Sequence, residues 1–476
     1  MGGFFDYDKY DGLGLAALVK RGDVTPAELL DEAIARTEAL NPKLNAVVMK
    51  HYDEARAQIA HGLPEGMFRG VPFLLKDLHL LLKGTVTTYG SALFRDSGEA
   101  DHNSTLTERY LNAGLVIFGK TNSPEFGLAG TTEPRLYGPT HNPWNLAHSP
   151  GGSSGGAAAA VAAGILPVAN ASDGGGSIRI PAAACGLFGM KPTRGRTPMG
   201  PDRGEGWAGM SIAHVVSRSV RDSAAMLDAT AGAAPGDPYA APPQAMPYLQ
   251  ELDRRPGRLR IAFTTKRPNG TACHPDVVQA VEDAAKLCET LGHEVVEASP
   301  AFDQEELSKH QGTIVGANVA LTLRQRGAAL GRDASANDVE HITWLIAQAA
   351  ALRSSTDYAE ATLFIHRLGR RMAAFHESHD VYLSPTLGIP PIELGRLDMM
   401  GKDVGAYLRL SGEYMPGTAI FNMTGQPSMS VPLHSNGDGL PIGTMFTARF
   451  GDEATLFRLA AQLEEAHPWA DKRPKL

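Results

Sequence analysis

The sequence predicts an α/β protein built around a mostly parallel sheet. Three observations carry this. An apolar run, Val71-Pro72-Phe73-Leu74-Leu75, a helix-like stretch over 102–113 and a second run, Gly114-Leu115-Val116-Ile117-Phe118, follow one another in a β-α-β rhythm. Residues 304–378 carry almost unbroken helical periodicity. Apolar residues make up 43% and charged residues 20% of 476 positions, enough to bury a large core and too apolar for disorder. Length alone suggests about three domains.

The elements follow in order. A helix is expected near 26–39, with Thr25 as cap, Pro26 at its first position and Glu28 closing a capping box. Strands are expected at 71–75 and 114–118. Ala157–Ala163 reads as a small-residue helix, Ile165–Ala169 as a short strand and Leu187–Met190 as another. The Pro- and Gly-loaded segment 232–258 reads as a connector. A strand restarts at Arg260–Phe263, an amphipathic helix covers Asp276–Gly292, and His293–Val296 is the next strand. Within the helical region, Phe364, Leu368, Met372 and Phe375 form an apolar stripe that reads as core, with a pocket lid as the alternative. Val381–Pro385 is a strand. Ser428–Leu433 and Ile442–Phe446 read as a hairpin around Asn436-Gly437-Asp438-Gly439, and a last helix carries Leu456, Leu459 and Leu463 on one face.

Composition narrows the function classes. A net charge of −8 leaves no basic excess to neutralise phosphates, so nucleic acid is not an expected partner. Three cysteines, Cys185, Cys273 and Cys288, do not read as a disulfide framework, which points to a reducing compartment. Met1–Asp6 shows neither a basic nor an apolar leader region, and Asp6 stands where a myristoylation motif wants Ser or Thr. The longest apolar stretch, about 157–169, is too short to span a bilayer. A cytoplasmic protein with no membrane partner is expected.

Chemistry concentrates in two glycine-serine clusters and one lysine. In Gly174-Gly175-Gly176-Ser177, consecutive glycines let backbone N–H groups converge into an anion nest. Were Ser177 to attack a carbonyl, those amides could hold the oxyanion. Taken alone, the string also reads as a flexible loop. The other cluster, Gly151-Gly152-Ser153-Ser154-Gly155-Gly156, formally satisfies the Gly-x-Ser-x-Gly elbow of α/β-hydrolases. An elbow needs a strand directly before it, and here stands the loop Asn142–Pro150, so the cluster reads as a loop that opens the 157–163 helix. Lys76 ends an apolar strand. Buried, its amine would lose basicity; it also reads as a strand-end lysine reaching solvent. Asp77, its neighbour, would face the other way. His376 and His379 could be drawn as metal ligands but read as a solvated helix end. No P-loop, dinucleotide fingerprint or zinc-type cysteine pair is present in the sequence. Neither a metal nor another cofactor is expected.

Joined in order, these pieces resemble the amidase signature family of serine hydrolases. The likeness runs through Gly70–Asp77, Gly119-Lys120-Thr121-Asn122-Ser123-Pro124-Glu125-Phe126, Tyr137–Trp144, Ser149–Gly156, Asp173–Pro181 and Gly189-Met190-Lys191-Pro192-Thr193. It continues in Asn422–Pro427 and Gly439–Gly443 and so covers nearly the whole chain. The resemblance implies one domain over 1–476, with a motif core at 70–200 and a helical substrate-pocket region at about 304–420. It implies a single three-layer α/β/α fold with a central mixed, mostly parallel sheet. It further implies a Ser–cis-Ser–Lys triad: Ser177 as nucleophile, Ser153 as the bridging serine after a cis peptide bond, and a neutral Lys76 as base. Backbone amides of Gly174, Gly175, Gly176 and Ser177 would form the oxyanion hole. Asp173 and Arg179 would brace the loop, and Ser154 would help position Lys76. Family members often carry an apolar residue after the Asp, where this chain has Gly174.

Within the family the chain looks most like the 6-aminohexanoate cyclic-dimer hydrolases and related bacterial amidases. The cues are Leu74–Leu78, Asn142–Leu146 and Lys191–Arg196. The implied function is hydrolysis of small linear or cyclic amides through an acyl-enzyme. Anilides, esters, carbamates or nylon-type oligomers would follow chemically. Substrate and water would be the partners, with a monomer or homodimer. Three alternatives stay open: an A-type glutamyl-tRNA amidotransferase component that needs partner chains, a non-catalytic binding protein on this fold, and an ordinary α/β-hydrolase using Ser153. Pocket walls are expected from 126–135, 304–325 and 405–425.

Overall fold

A computed structural model describes residues 6–476; of the Met1–Asp6 stretch on which the leader and myristoylation readings rest, all but Asp6 lies outside the described residues. Helix α1 (Gly12–Arg21) and α2 (Pro26–Leu44) open the chain. The capping box at α2 forms as expected: the Thr25 hydroxyl accepts from Glu28 N–H and Glu28 Oε2 accepts from Thr25 N–H. Strand β1 (Val47–Lys50) and α3 (Tyr52–His61) lead to β2 (Pro72–Lys76), α4 (Thr105–Asn112) and β3 (Val116–Thr121). The motif core continues with α5 (Gly155–Ala162), β4 (Val168–Asp173), α6 (Arg179–Cys185), β5 (Phe188–Lys191), β6 (Ile212–Ser217) and α7 (Val220–Thr230). Strand β4 starts after Pro167, not at Ile165, because proline has no N–H for the ladder.

Then come α8 (Tyr248–Glu251), β7 (Arg260–Phe263), α9 (Pro275–Thr290) and β8 (Glu294–Glu297). Three long helices fill the predicted helical region: α10 (Gln304–Leu330), α11 (His341–Ala351) and α12 (Ser355–Ser378). Strand β9 (Val381–Pro385), α13 (Val404–Tyr414), α14 (Ile420–Met423), β10 (Ser428–Ser435), β11 (Pro441–Ala448) and α15 (Glu453–Ala466) complete it.

The strands form an eight-stranded sheet, order β4-β6-β5-β10-β11-β9-β7-β8, and a three-stranded sheet, β1-β3-β2, whose strand β2 packs beside β4. The expectation of a mostly parallel sheet is corrected here. In the large sheet only β9–β7 and β7–β8 are parallel; every other neighbouring pair is antiparallel. The β-α-β rhythm holds over 71–118, since β2 and β3 pair in parallel across α4. It does not transfer, because β4, β5 and β6 are joined with antiparallel register and β10–β11 is the predicted hairpin. Order between segments hundreds of residues apart is set by non-local pairing that local periodicity does not contain.

Both faces of the sheets are covered, giving three layers. Along β2, Leu74 packs with α2 and α5, while Phe73 and Leu75 pack with α1, α4 and α7. On the large sheet Ile261, Leu383 and Phe446 face α9 and α15. Ala262, Tyr382 and Met445 face the other way, against α10 and α12. The α12 stripe is core: Leu368 and Met372 are buried there, with Phe364 and Phe375 packed against them. Among the described residues, no helix is long and apolar enough to cross a membrane.

Candidate active site

The site lies where β2, the start of α5 and the β4–α6 loop meet. Strand alternation separates Lys76 from Asp77 as expected. The Asp77 carboxylate accepts from Thr88 and Gly90 N–H, while Lys76 reaches the other two loops. Lys76 Nζ lies 2.6 Å from Ser153 Oγ and 3.1 Å from Ser172 Oγ. The lysine is wholly buried and, among the described residues, no carboxylate pairs with its amine. Burial therefore pushes its pKa from 10.5 down to about 7, against the opposing pull of the Asp173 charge.

Ser153 follows a cis peptide bond from Gly152. Glycine is required there: a Cβ at Gly152 would stand 2.4 Å from the Thr131 carbonyl oxygen. Ser154 touches the lysine only through an intermediary. Its hydroxyl donates to the Ser172 carbonyl at 3.2 Å and accepts from Ser172 N–H at 3.3 Å. Ser172 was missed from sequence, because a serine inside an apolar strand carries no local signal of what faces it.

The loop after β4 is held by a buried ion pair. Arg179 Nε and Nη2 donate to the two oxygens of Asp173, each at 3.0 Å. Burial alone would raise the Asp173 carboxyl; the Arg179 charge and hydrogen bonds, with Lys191 and Asn422, hold it well below the usual carboxylate range. Asn422, in the C-terminal likeness, donates to Asp173 Oδ1 at 2.8 Å and accepts from Arg179 at 2.7 Å. Asp173 also takes the N–H groups of Gly176 at 2.7 Å and Ile178 at 3.1 Å.

That last pairing corrects one expectation. The Gly176 amide is committed to Asp173 and is not a free oxyanion donor. Among the described residues, the N–H groups of Gly174, Gly175 and Ser177 have no acceptor. Gly176 serves conformation instead. Its φ of +132° favours glycine, and a Cβ there would stand 2.3 Å from Thr418 Oγ1, whose hydroxyl donates to the Gly175 carbonyl. A side chain at Gly176 would displace the loop that carries the neighbouring Gly174, Gly175 and Ser177 amides, so Gly176→Ala is expected to lower kcat by about 10²–10³, the cost of misplacing one such donor, with KM changed far less. Steady-state kinetics on a short amide checks this. Ser177 itself sits half-buried at the entry to α6.

A cavity of about 480 Å³ adjoins these loops. Phe126 and one face of α10 line it, as the expected wall segments 126–135 and 304–325 require. From 405–425, Thr418 and Ala419 flank Gly175 and Gly176 rather than line the cavity. His79, Tyr89, the 202–207 loop and Ser211 complete the lining, outside the expected wall segments. Gly204 and Gly206 beside Trp207 are the one local signal there, and they carry no sign that the loop folds back over Gly174.

The amidase family model matches residues 28–457. The chain is 38% identical to a 6-aminohexanoate-cyclic-dimer hydrolase of Paenarthrobacter ureafaciens, over 98% of this chain and 96% of that one. It is 37% identical to a putative amidase, AmiB2, of Mycobacterium bovis, over 97% of each. A solved 6-aminohexanoate cyclic dimer hydrolase superposes with a TM-score of 0.94 at 38% identity, covering 98% of this chain and 99% of that one. A bacterial aryl acylamidase superposes at 0.88 with 28% identity, over 98% and 99%. With this fold and these full-length relatives, the chain belongs to the amidase family and is a hydrolase acting on carbon–nitrogen bonds other than peptide bonds.

Proposed function

We propose that this amidase works through a Ser–cis-Ser–Lys relay with Ser177 as nucleophile. The observation that carries the proposal is the buried Lys76 amine, 2.6 Å from Ser153 Oγ and without a carboxylate partner among the described residues. Ser177 Oγ attacks the amide carbonyl and passes its proton to Ser153, which passes its own to neutral Lys76. The N–H groups of Gly174, Gly175 and Ser177 receive the oxyanion. Collapse returns the proton through Ser153 to the departing amine and leaves an ester on Ser177. Water then attacks that ester, gives a proton to the same relay, and the acid leaves with Ser177 restored. Asp173, Arg179 and Asn422 hold the loop, and Ser154 positions Ser172 against Lys76.

The substrates are small linear or cyclic amides. The acyl-enzyme step extends to anilides, esters, carbamates and nylon-type oligomers, in keeping with relatives named for a cyclic aminohexanoate dimer and for aryl acylamides. The protein is a cytoplasmic monomer or homodimer, one domain over 1–476, with its substrate pocket in the helical region at about 304–420. It needs neither cofactor, nucleic acid nor membrane. An amidotransferase component or a binding protein is not favoured, since the relatives reported above are a cyclic-dimer hydrolase and a putative amidase at 37–38% identity over nearly the full chain. Treatment with a fluorophosphonate followed by peptide mapping is expected to place the adduct on Ser177. An adduct on Ser153 with Ser177 unmodified overturns the assignment. Turnover of short amides without turnover of carbamates or aminohexanoate oligomers removes those substrates from it.

A further inference from the structure

We propose that the cavity beside the triad receives the carboxylate end of an amide substrate, with Arg203 as its specificity-determining residue; this rests on the Ser177 reading above. The cavity is continuous with the reacting loops. Trp207 packs its ring over Gly174, where a Cβ would stand 2.8 Å from it. Phe126 precedes Gly127, where a Cβ would stand 3.1 Å from Ser153 Oγ. At about 480 Å³ it suits a small organic ligand.

Its walls are built under constraint. His79, Tyr89, Phe126 and Trp207 all line it, and all have left-handed φ, between 51° and 64°. Such conformations in bulky side chains are unfavourable and persist where surroundings impose them, commonly at ligand sites. Across from these aromatics, Asn318, Thr322 and Gln325 share one face of α10.

The charged groups of the lining are Asp202, Arg203 and Glu205, all exposed at its rim, and Arg203 is its one cation among the described residues. Asp202 shares the imidazole of His102 with Asp101, at 3.0 Å and 2.5 Å. Glu205 is turned to the Tyr239 hydroxyl and the Arg194 charge. Arg203 has no carboxylate partner among the described residues; its guanidinium donates to His79 Nδ1 at 3.3 Å. His79 adds no charge of its own, because burial, with the Arg203 charge beside it, keeps the imidazole neutral. A planar guanidinium left at the rim of an aromatic, amide-lined chamber matches a single carboxylate. A phosphate dianion would call for further cations, and the lining offers none. Linear aminohexanoate-type oligomers and half-amides of dicarboxylic acids carry such an end; cyclic amides do not.

Two matched pairs of substrates test this and separate the two sides of the scissile bond. One pair is the mono-4-nitroanilide of adipic acid against hexanoyl 4-nitroanilide. The other is N-acetyl-6-aminohexanoate against N-acetylhexylamine. The expected result is a higher kcat/KM for the carboxylate member of at least one pair, by roughly 10–100-fold. In Arg203→Gln that ratio collapses towards one, in Arg203→Lys it is partly restored, and in the wild type it shrinks with added salt. No carboxylate preference in the wild type, or the same ratio in Arg203→Gln, overturns the proposal. Fluorophosphonate labelling of the same preparations distinguishes the failures. An enzyme labelled at Ser177 that shows no preference overturns Arg203 alone; an inactive enzyme that does not label at Ser177 overturns the nucleophile and Arg203 together.

Discussion

Ser177→Ala is expected to lower kcat for amide hydrolysis by about 10⁴-fold or more, while leaving the fold intact. The size follows from removing a nucleophile that acts as one unit with its relay. The fold should survive because Ser177 is half-buried and its side chain makes no hydrogen bond among the described residues; the loop is held by Asp173, Arg179 and Asn422. The Gly174 and Gly175 amides also remain, so substrate should still bind. Kinetics on a short amide, with circular dichroism and thermal melting on the same sample, measures both halves. Activity within tenfold of wild type would remove Ser177 from the chemistry and return the role to Ser153.

Lys76→Met is expected to abolish turnover, by about 10⁴-fold or more if the relay acts as a unit, and to change stability in a pH-dependent way. Burial lowers the Lys76 pKa from 10.5 to about 7. The folded state therefore binds fewer protons than the unfolded chain between about pH 7 and 10.5, and stability rises with pH across that window. Below pH 7 the cost of burying the amine is fully present, about 5 kcal/mol for the whole drop. Methionine does not carry this cost. It does leave the hydroxyls of Ser153 and Ser172 without their lysine partner, at about 1–3 kcal/mol each. The stability difference between mutant and wild type should therefore favour the mutant most near pH 6 and shift towards the wild type by pH 10. Lys191 is also pushed to about 7, first by burial and then by the Arg179 charge; it contributes to the same window in both proteins and cancels in the difference. Urea unfolding at pH 6 and pH 10 measures this, and a pH-independent difference would mean that Lys76 is not buried uncharged. In the wild type, kcat/KM should rise with pH through about 7 as Lys76 loses its proton.

Much of the site was legible because its parts are local strings. Gly174-Gly175-Gly176-Ser177 advertises a loop with exposed amides, and Gly151–Gly156 another. Lys76 at the end of an apolar run is conspicuous, but the run alone leaves open whether the amine is buried or reaches solvent. The capping box at Thr25 and Glu28 and the turn at Asn436–Gly439 likewise depend on residues within a few positions of each other.

What could not be read shares one property: partners distant in the chain. Ser172 meets Lys76 across 96 positions. Asn422 completes the Asp173–Arg179 pair from 249 positions away. The Gly176 amide was assigned to the oxyanion because the string shows only that it is flexible; the turn that aims it at Asp173 instead is a property of the folded loop.

The sequence by itself determined the α/β class, the hairpin and the long helices, and it marked the strings that carry the candidate residues Lys76, Ser153 and Ser177, since periodicity, caps and motif strings are short-range chemistry. The tertiary structure alone decided that the large sheet is mainly antiparallel, that Lys76 is buried with no counter-ion among the described residues, and that four aromatics with left-handed φ and Arg203 enclose a chamber near Lys76 and Ser153. Each of these depends on which segments pack together, and burial, dielectric and charge balance are properties of that packing.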